Sequence, residues 1–364
     1  MHQVRCAASH ASTSSAAASS SSSPRLPAAT DISSTANPYI KHCVKLRESS
    51  RYRQQQRRLL LVGQTLLSEL AEEAGPSLDI LVLFLRPGTD LPPGITAERV
   101  ITVSDSVMKK LTGLEEAAGV QVVAELALPQ YVDLQSWSRT SAHSSTSSSS
   151  NAAAAGSHQA AAGPQQQQQQ QQLQRLLVLE AVQDPGNLGT LLRCAAAFGW
   201  DAVWLLPGCC DPFNDKALRA SRGAALRWPL AAGSLQELLE LVQQRGMLLL
   251  AAHPEDPLQQ QPGSSPGDVK GVDALSGSNT ASAGKQQQQQ QPVCLVLGTE
   301  GAGLSDEVLA VATPLAVPMS GRMESLNVGV AGAILMFALS EGLQQLLGRL
   351  QQLGQVRGPD HDTQ

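Results

Sequence analysis

Three short stretches of this 364-residue chain carry the polar residues best spaced for chemistry, and each follows an apolar run of strand-like length. The first is Asn187-Leu188-Gly189-Thr190-Leu191-Leu192-Arg193. An amide and a guanidinium early on one helix could orient a ribose or phosphate and stabilise an oxygen gaining negative charge. The bland reading is that Asn187 caps the helix and Arg193 is solvated. The second is Gly298-Thr299-Glu300-Gly301-Ala302-Gly303. Its glycines let backbone approach a ligand closely and offer amide donors. It lacks the Lys-Ser/Thr of a phosphate-gripping loop and the spacing of a dinucleotide fingerprint, and a tight turn before a Ser305 cap explains the same residues. The third runs from Val317 to Val328, with Ser325, Leu326 and Asn327 at the mouth of an apolar helix. Free amides at such a helix end favour electron-rich groups, and capping by Ser325 is the structural alternative.

The elements that must position these residues alternate strand with helix. Leu176–Val182 reads as a strand ended by the turn Asp184-Pro185-Gly186-Asn187. The apolar spacing of Leu188, Leu191, Leu192 and Ala195 predicts a helix to about Phe198. Strands are expected at Ala202–Leu206, Met247–Ala252, Val293–Leu297 and Leu315–Met319. Helices are expected at Asn214–Arg222, Ser234–Gln244 and Ser305–Ala312, with a long final helix from about Glu324. That alternation implies an α/β fold with a mostly parallel, covered sheet, whose ligands gather at the carboxyl ends of its strands. Upstream, strands at Leu78–Phe84, Arg99–Val103 and Gly119–Glu125, a helix at Val107–Leu111 and partly helical text over Lys45–Ala74 suggest a small separate α/β unit.

Composition sets the boundaries. Ser9–Thr35, Ser136–Gln174 and Pro254–Pro292 are mainly Ser, Ala, Gly, Pro and Gln, and bury too little apolar surface to fold. The organisation expected is therefore a leader over 1–36, a domain over 37–134, a linker over 135–174, a second domain over 175–350 interrupted at 254–292, and a tail over 351–364. The first thirty residues hold Arg5 and Arg25 but no acid, the composition of an organelle transit peptide; a chloroplast is expected ahead of a mitochondrion, with cytoplasm and nucleus left open. The net charge of −5 does not announce a nucleic-acid partner, but Lys41, Lys45, Arg47, Arg51, Arg53, Arg57 and Arg58 face a single acid, Glu48. An RNA-facing patch and a solvated helix face explain that run equally well. Six cysteines show neither a CxxC pair nor metal-ligand spacing, so no metal is expected. The final apolar helix carries Ser340, Glu341 and Gln344 and reads as buried rather than membrane-spanning.

Taken in order, DPGNLGTLLRCAAAFG, LVLGTEGAGLSDEV and VPMSGRMESLNVGVAGAILMFAL resemble the SpoU (TrmH-like) branch of the SPOUT RNA methyltransferases, over Leu176 to Leu347. More loosely, NPYIKHCVKLRES and VMKKLTGLEEAAGVQVVAE are similar to the small RNA-binding domain that precedes the catalytic domain in many members. The resemblance implies a knotted Rossmann-like domain with a deep C-terminal trefoil knot, a homodimer with active sites near the subunit interface, and S-adenosylmethionine as cofactor. It implies methylation of a ribose 2′-hydroxyl in RNA, organellar ribosomal RNA first and transfer RNA second. Carried over by position, Asn187 and Arg193 handle the target ribose and Ser325 and Asn327 complete the catalytic site. Gly298, Glu300, Gly301, Gly303, Val317 and Leu326 are the cofactor positions. Gly329 departs from the pattern, since many members have Ser there. Two rival readings are a non-catalytic RNA-binding relative and a nicotinamide- or nucleotide-dependent enzyme using the glycine loop, and the second lacks both its early glycine fingerprint and the acidic residue about 20 positions on.

Overall fold

The computed structural model describes residues 30–74, 78–91, 93–136, 172–253, 291–299, 301, 303–320, 323, 325–340, 343 and 345. The stretches expected as leader, linker, insertion and tail lie largely outside them.

The N-terminal unit contains β1 (Asp31–Ile32), α1 (Pro38–Glu48), α2 (Ser50–Gln56), β2 (Arg58–Val62), α3 (Gln64–Ala74), β3 (Ile80–Leu85), β4 (Arg99–Val103), α4 (Asp105–Thr112) and β5 (Val122–Ala127). Its sheet runs β1-β4-β3-β5-β2, with β5 antiparallel to both neighbours. Period-two alternation divides the apolar residues between two faces. Val82, Phe84, Leu60 and Ile101 meet Ile40, Cys43 and Leu46 of α1 and Val107, Met108 and Leu111 of α4. Leu59, Leu61, Leu83 and Leu85 turn the other way and join one core with the second unit. Two strands of this unit escape the sequence reading. β1 lies inside the stretch expected as leader and pairs with β4, and β2 lies inside text expected to be partly helical.

The second unit contains β6 (Arg175–Leu179), α5 (Pro185–Ala197), β7 (Ala202–Leu205), α6 (Asp215–Ala220), α7 (Ala224–Arg227), β8 (Leu230–Ala232), α8 (Leu235–Arg245), β9 (Leu248–Ala252), β10 (Val293–Leu297), α9 (Asp306–Leu309), β11 (Thr313–Leu315) and α10 (Val328–Ala338). All six strands are parallel, in the order β11-β9-β10-β6-β7-β8. The expected α/β class and parallel sheet are therefore present. β10 sits between β6 and β9, in register from Val293 opposite Arg175 to Leu297 opposite Leu179. The chain thus leaves β6 toward one edge and later returns to its other side, which makes the β6–β10 boundary the place where a ligand crevice opens. Helices α5, α6 and α10 contribute to the core on one face, and α8 and α9 to that on the other.

Several ends move from where the sequence put them. Asp184, not Asn187, caps α5, its carboxylate accepting the Asn187 amide at 2.8 Å. α10 begins at Val328 rather than near Glu324, and its cap is Asn327 rather than Ser325. The last strand is three residues at the sheet edge instead of Leu315–Met319. The helix expected over Asn214–Arg222 stops at Ala220, because Arg222 and Gly223 both take left-handed backbone, φ 49° and 74°.

The units are joined by charge as well as by core. The buried Arg53 donates from Nε and Nη2 to Asp211 at 2.9 and 2.5 Å and from Nη1 to the carbonyls of Leu46 and Arg47. Arg58 pairs at 2.9 Å with the fully buried Glu125, which also accepts from Tyr39 Oη at 2.6 Å and lies 3.2 Å from His42 Nε2. Burial alone would push the Glu125 carboxyl up. The hydrogen bonds from His42 and Tyr39 and the charges of His42 and Arg58 outweigh it and hold the group below its ordinary range. Arg47 bonds the last carbonyls of α4. Three of the seven basic residues in the Lys41–Arg58 run are thus structural, while Lys41, Lys45, Arg51 and Arg57 remain exposed. Among the described residues no helix is long and apolar enough to cross a membrane, and no His, Cys, Asp and Glu gather as metal ligands.

Candidate active site

A cavity of about 470 Å³ opens at the carboxyl ends of β9, β10 and β11 and is closed on one side by the start of α10. Its size is ordinary for a small-molecule site. Its floor is apolar, from Leu297, Leu315, Val317, Val328 and Leu335, and its rim is polar, from Thr299, Ser325, Asn327 and His253.

The glycine loop forms one wall. Thr299 and Gly303 exchange two backbone hydrogen bonds, at 3.2 and 3.1 Å, which hold these two residues side by side. Gly301 and Gly303 hold φ of 95° and 73°, where a side chain would be strained. Gly298 is required for a different reason, because a Cβ there would stand 2.4 Å from the Gly303 carbonyl oxygen. The loop is anchored beyond its end, where Ser305 donates to the Glu180 carboxylate from N at 2.9 Å and Oγ at 2.7 Å. Gly298, Gly301 and Gly303 line the cavity, and Val317 and Leu326 line it with them. Glu300 lies outside the described residues.

The opposite rim joins the first and third motifs. Asn327 Oδ1 accepts from the Gly329 and Val330 amides, which fixes its Nδ2 as the donor to Asn187 Oδ1 at 3.1 Å. Two residues 140 positions apart in the chain become one hydrogen-bonded pair at the cavity mouth. Capping of α5 by Asp184 is what leaves the Asn187 side chain available for this pairing. The departure at Gly329 falls beside the pair, since a Cβ there would stand 3.1 Å from Asn327 Oδ1 and 3.5 Å from Asn187 Oδ1.

Arg193 is elsewhere. Six residues after Asn187, it projects about 240° around α5, onto the exposed face shared with Thr190 and Ala197. It lines a second cavity with Arg222, Arg227 and Trp228 rather than the first. His253, Thr299 and Met319 line the first cavity without having been singled out from sequence. His253 directly follows β9, and a strand's carboxyl end was the one signal that could have marked it.

The chain matches the SpoU rRNA methylase family over residues 174–337. A protein named as an uncharacterised tRNA/rRNA methyltransferase of Synechocystis sp. is 30% identical over 313 residues, 84% of this chain and 92% of that protein. The 23S rRNA (guanosine(2553)-2′-O)-methyltransferase RlmP of Bacillus subtilis is 34% identical over 170 residues, 46% of this chain and 58% of its own length. Among solved structures, an RNA 2′-O ribose methyltransferase superposes with a TM-score of 0.56 at 25% identity, covering 87% of this chain and 99% of that one. An AdoMet-bound rRNA methyltransferase from Sinorhizobium meliloti gives a TM-score of 0.58 at 21% identity, covering 87% and 98%, a likeness of fold. With similarity running through both units, this chain belongs to the SpoU rRNA methylase family.

Proposed function

We propose that the chain transfers a methyl group from S-adenosylmethionine to a ribose 2′-hydroxyl of RNA, organellar ribosomal RNA ahead of transfer RNA. The observation that carries the reading is the Asn327–Asn187 hydrogen bond beside the glycine-walled cavity, which draws all three motifs to one crevice. The cofactor would be held by Gly298, Gly301, Gly303, Val317 and Leu326, with Glu300 proposed beside them. When bound it supplies a methyl group on a positively charged sulfur. Gly298 and Gly303 fit such a ligand because they keep side chains out of the wall, and the apolar floor excludes water from the reacting carbon.

The protein's own task is positioning, since in-line displacement gains most from holding two reactants in reach. Asn187 and Asn327 orient the ribose, with Ser325 beside them on the rim. Arg193 acts through its guanidinium charge, favouring the alkoxide as the 2′-hydroxyl proton leaves to solvent. Because Arg193 does not line its own chain's cofactor cavity, the proposal has it serve the cavity of a second subunit. The exposed faces of α5 and α10 support a homodimer in which this is possible. Val330 and Ile334 on α10 are 49% and 43% exposed, one turn apart, and α10 packs along α5. The small residue Gly332, by contrast, faces inward, and a Cβ there would meet Leu191 and Leu297 at 2.4 and 2.6 Å.

The deep trefoil knot belongs to the same proposal. It is supported by the return of α10 from the β11 edge to pack on α5 and β10, where Trp200 Nε1 donates to the Met336 carbonyl at 3.2 Å. The N-terminal unit supplies RNA affinity through Lys41, Lys45, Arg51 and Arg57. The leader, acid-free over its first thirty residues, directs the chain to an organelle, a chloroplast ahead of a mitochondrion.

Equilibrium dialysis with radiolabelled S-adenosylmethionine and with NAD tests the cofactor, and saturable binding of the first alone is expected. Mapping 2′-O-methylation in organellar RNA with and without the protein identifies the nucleotide. Unchanged methylation everywhere, in a chain that binds S-adenosylmethionine, would remove the assigned substrate.

A further inference from the structure

Between the two units, beyond the cofactor cavity, runs a groove made of two cavities of about 680 and 640 Å³ that share Glu69 and Arg222. Four arginines line it, Arg193, Arg219, Arg222 and Arg227, and Trp228 lines the same end as Arg193. Among the described residues Asp215 lies 2.9 Å from Arg219, one helical turn away, Glu69 of α3 pairs with Arg222 across the unit boundary, and Arg227 Nη2 donates to the Arg222 carbonyl at 3.1 Å. Trp228 is held in orientation by its Nε1, which donates to the Trp200 carbonyl at 2.8 Å.

Arg222 is the unusual member. It is a non-glycine residue at φ 49°, followed at once by Gly223 at φ 74°. A side chain in left-handed backbone is disfavoured, and such strain persists where the surrounding structure enforces it, often at binding sites. Here the strained turn ends α6 and aims a long cation at the groove. The Arg222–Glu69 pair is half exposed on the arginine side, at 49%, so it is screened and readily exchanged for a stronger anion. Phosphate accepts a guanidinium in forked geometry, and an indole face accepts any base.

We infer that this groove holds the single-stranded RNA flanking the methylated nucleotide, with phosphate replacing Glu69 as the partner of Arg222 and a base stacking on Trp228. The inference rests on the reading of the chain as an RNA methyltransferase, and it assigns the strand's path from the N-terminal unit to the helix that carries Asn187 and Arg193.

The test uses the full chain and a fluorescent oligouridylate of about 12 nucleotides, titrated between about 50 and 200 mM salt. Arg222→Gly removes the cation and relieves the backbone strain, so thermal stability should hold or rise. Affinity should fall about tenfold, and the slope of log affinity against log salt should shrink by about 0.7, the value for one phosphate contact on a single strand. Glu69→Gln removes the competing carboxylate and should tighten binding. S-adenosylmethionine binding should be the same in all three proteins. Unchanged affinity and slope in Arg222→Gly, coupled to lower thermal stability, would make the pair a clamp between units and overturn the inference. Absence of oligouridylate binding by the unaltered chain, or equally strong competition by an RNA duplex of the same length, would overturn it as well. The readouts need no turnover. Failure to bind S-adenosylmethionine would sink the proposed reaction alone, and normal cofactor binding with an indifferent Arg222 would sink the groove alone.

Discussion

Under the proposed function, replacing Arg193 should separate catalysis from folding. The side chain is exposed on α5, and no hydrogen bond or ion pair holds its guanidinium among the described residues, while the helix's apolar residues Leu188, Leu191, Leu192 and Ala195 are fully buried on other faces. Arg193→Ala should therefore shift unfolding free energy by no more than about 0.5 kcal/mol. Loss of a preorganised donor to a developing oxyanion costs roughly 10²–10³ in rate, or about 3–4 kcal/mol. Arg193→Lys keeps the charge but not the planar fork and should stay severely impaired. The assay is single-turnover methyl transfer to RNA, with cofactor and RNA affinity measured separately. A loss below about tenfold refutes the transition-state role, and a collapse of RNA affinity instead makes Arg193 a phosphate anchor.

The same variant tests where Arg193 acts. Gly298→Ala blocks the cofactor wall of its own subunit and leaves Arg193 intact. Mixing it with Arg193→Ala gives, by random pairing, about half heterodimers, each with one cavity that is intact and faced by an intact arginine from the other subunit. Two inactive proteins should thus regain about a quarter of normal activity. No recovery, once exchange of subunits has been verified, would place Arg193 at its own chain's cavity.

Other outcomes follow from particular contacts. Gly298→Ala should lose at least tenfold in S-adenosylmethionine affinity by dialysis, because its Cβ would displace the Gly303 carbonyl from 2.4 Å; unaltered affinity would mean that the loop is not the cofactor wall. Ile334→Asp together with Val330→Lys should leave the fold intact and yield a monomer by sedimentation, while a fully active monomeric wild type would end the dimer proposal. Gly332→Val should lower stability in thermal denaturation by about 1–3 kcal/mol through its clash with Leu191 and Leu297, and a neutral result would show that α10 can shift outward. Glu125 is held below its ordinary range in the folded state, so its stabilising effect is present above the unfolded-state value and fades as pH falls through the lowered one. Glu125→Gln should flatten that acid limb in urea titrations, and an identical pH profile would assign the limb to other groups.

What the sequence made legible was what depends on local pattern. β4 and β10 have the bounds that apolar runs predicted, and α8 starts after Ser234, whose side chain and Glu237 form a reciprocal cap. Its misses share a cause, which is that partners distant in sequence decide between locally equal options. Arg58-Leu59-Leu60-Leu61-Val62 continues a helical, basic text, yet it becomes a strand because β5 offers a matching edge and buried Glu125 takes the charge of Arg58. Arg53 and Arg47 look like members of an RNA-facing run but are bound to Asp211 and to the end of α4, so charge counted along the chain overstated the cationic surface. At the candidate site the cavity-lining glycines were readable because they directly follow a strand of a parallel sheet, where such crevices open. The relation of Asn187 to Arg193 was not. Nothing in their six-residue spacing reveals that Asp184 takes the cap, that Asn187 turns to Asn327, and that Arg193 consequently faces away from the cavity it was expected to serve. A motif read as one site in sequence is divided by helical geometry between two faces, and in a symmetric dimer that division is what would let one helix serve two active sites.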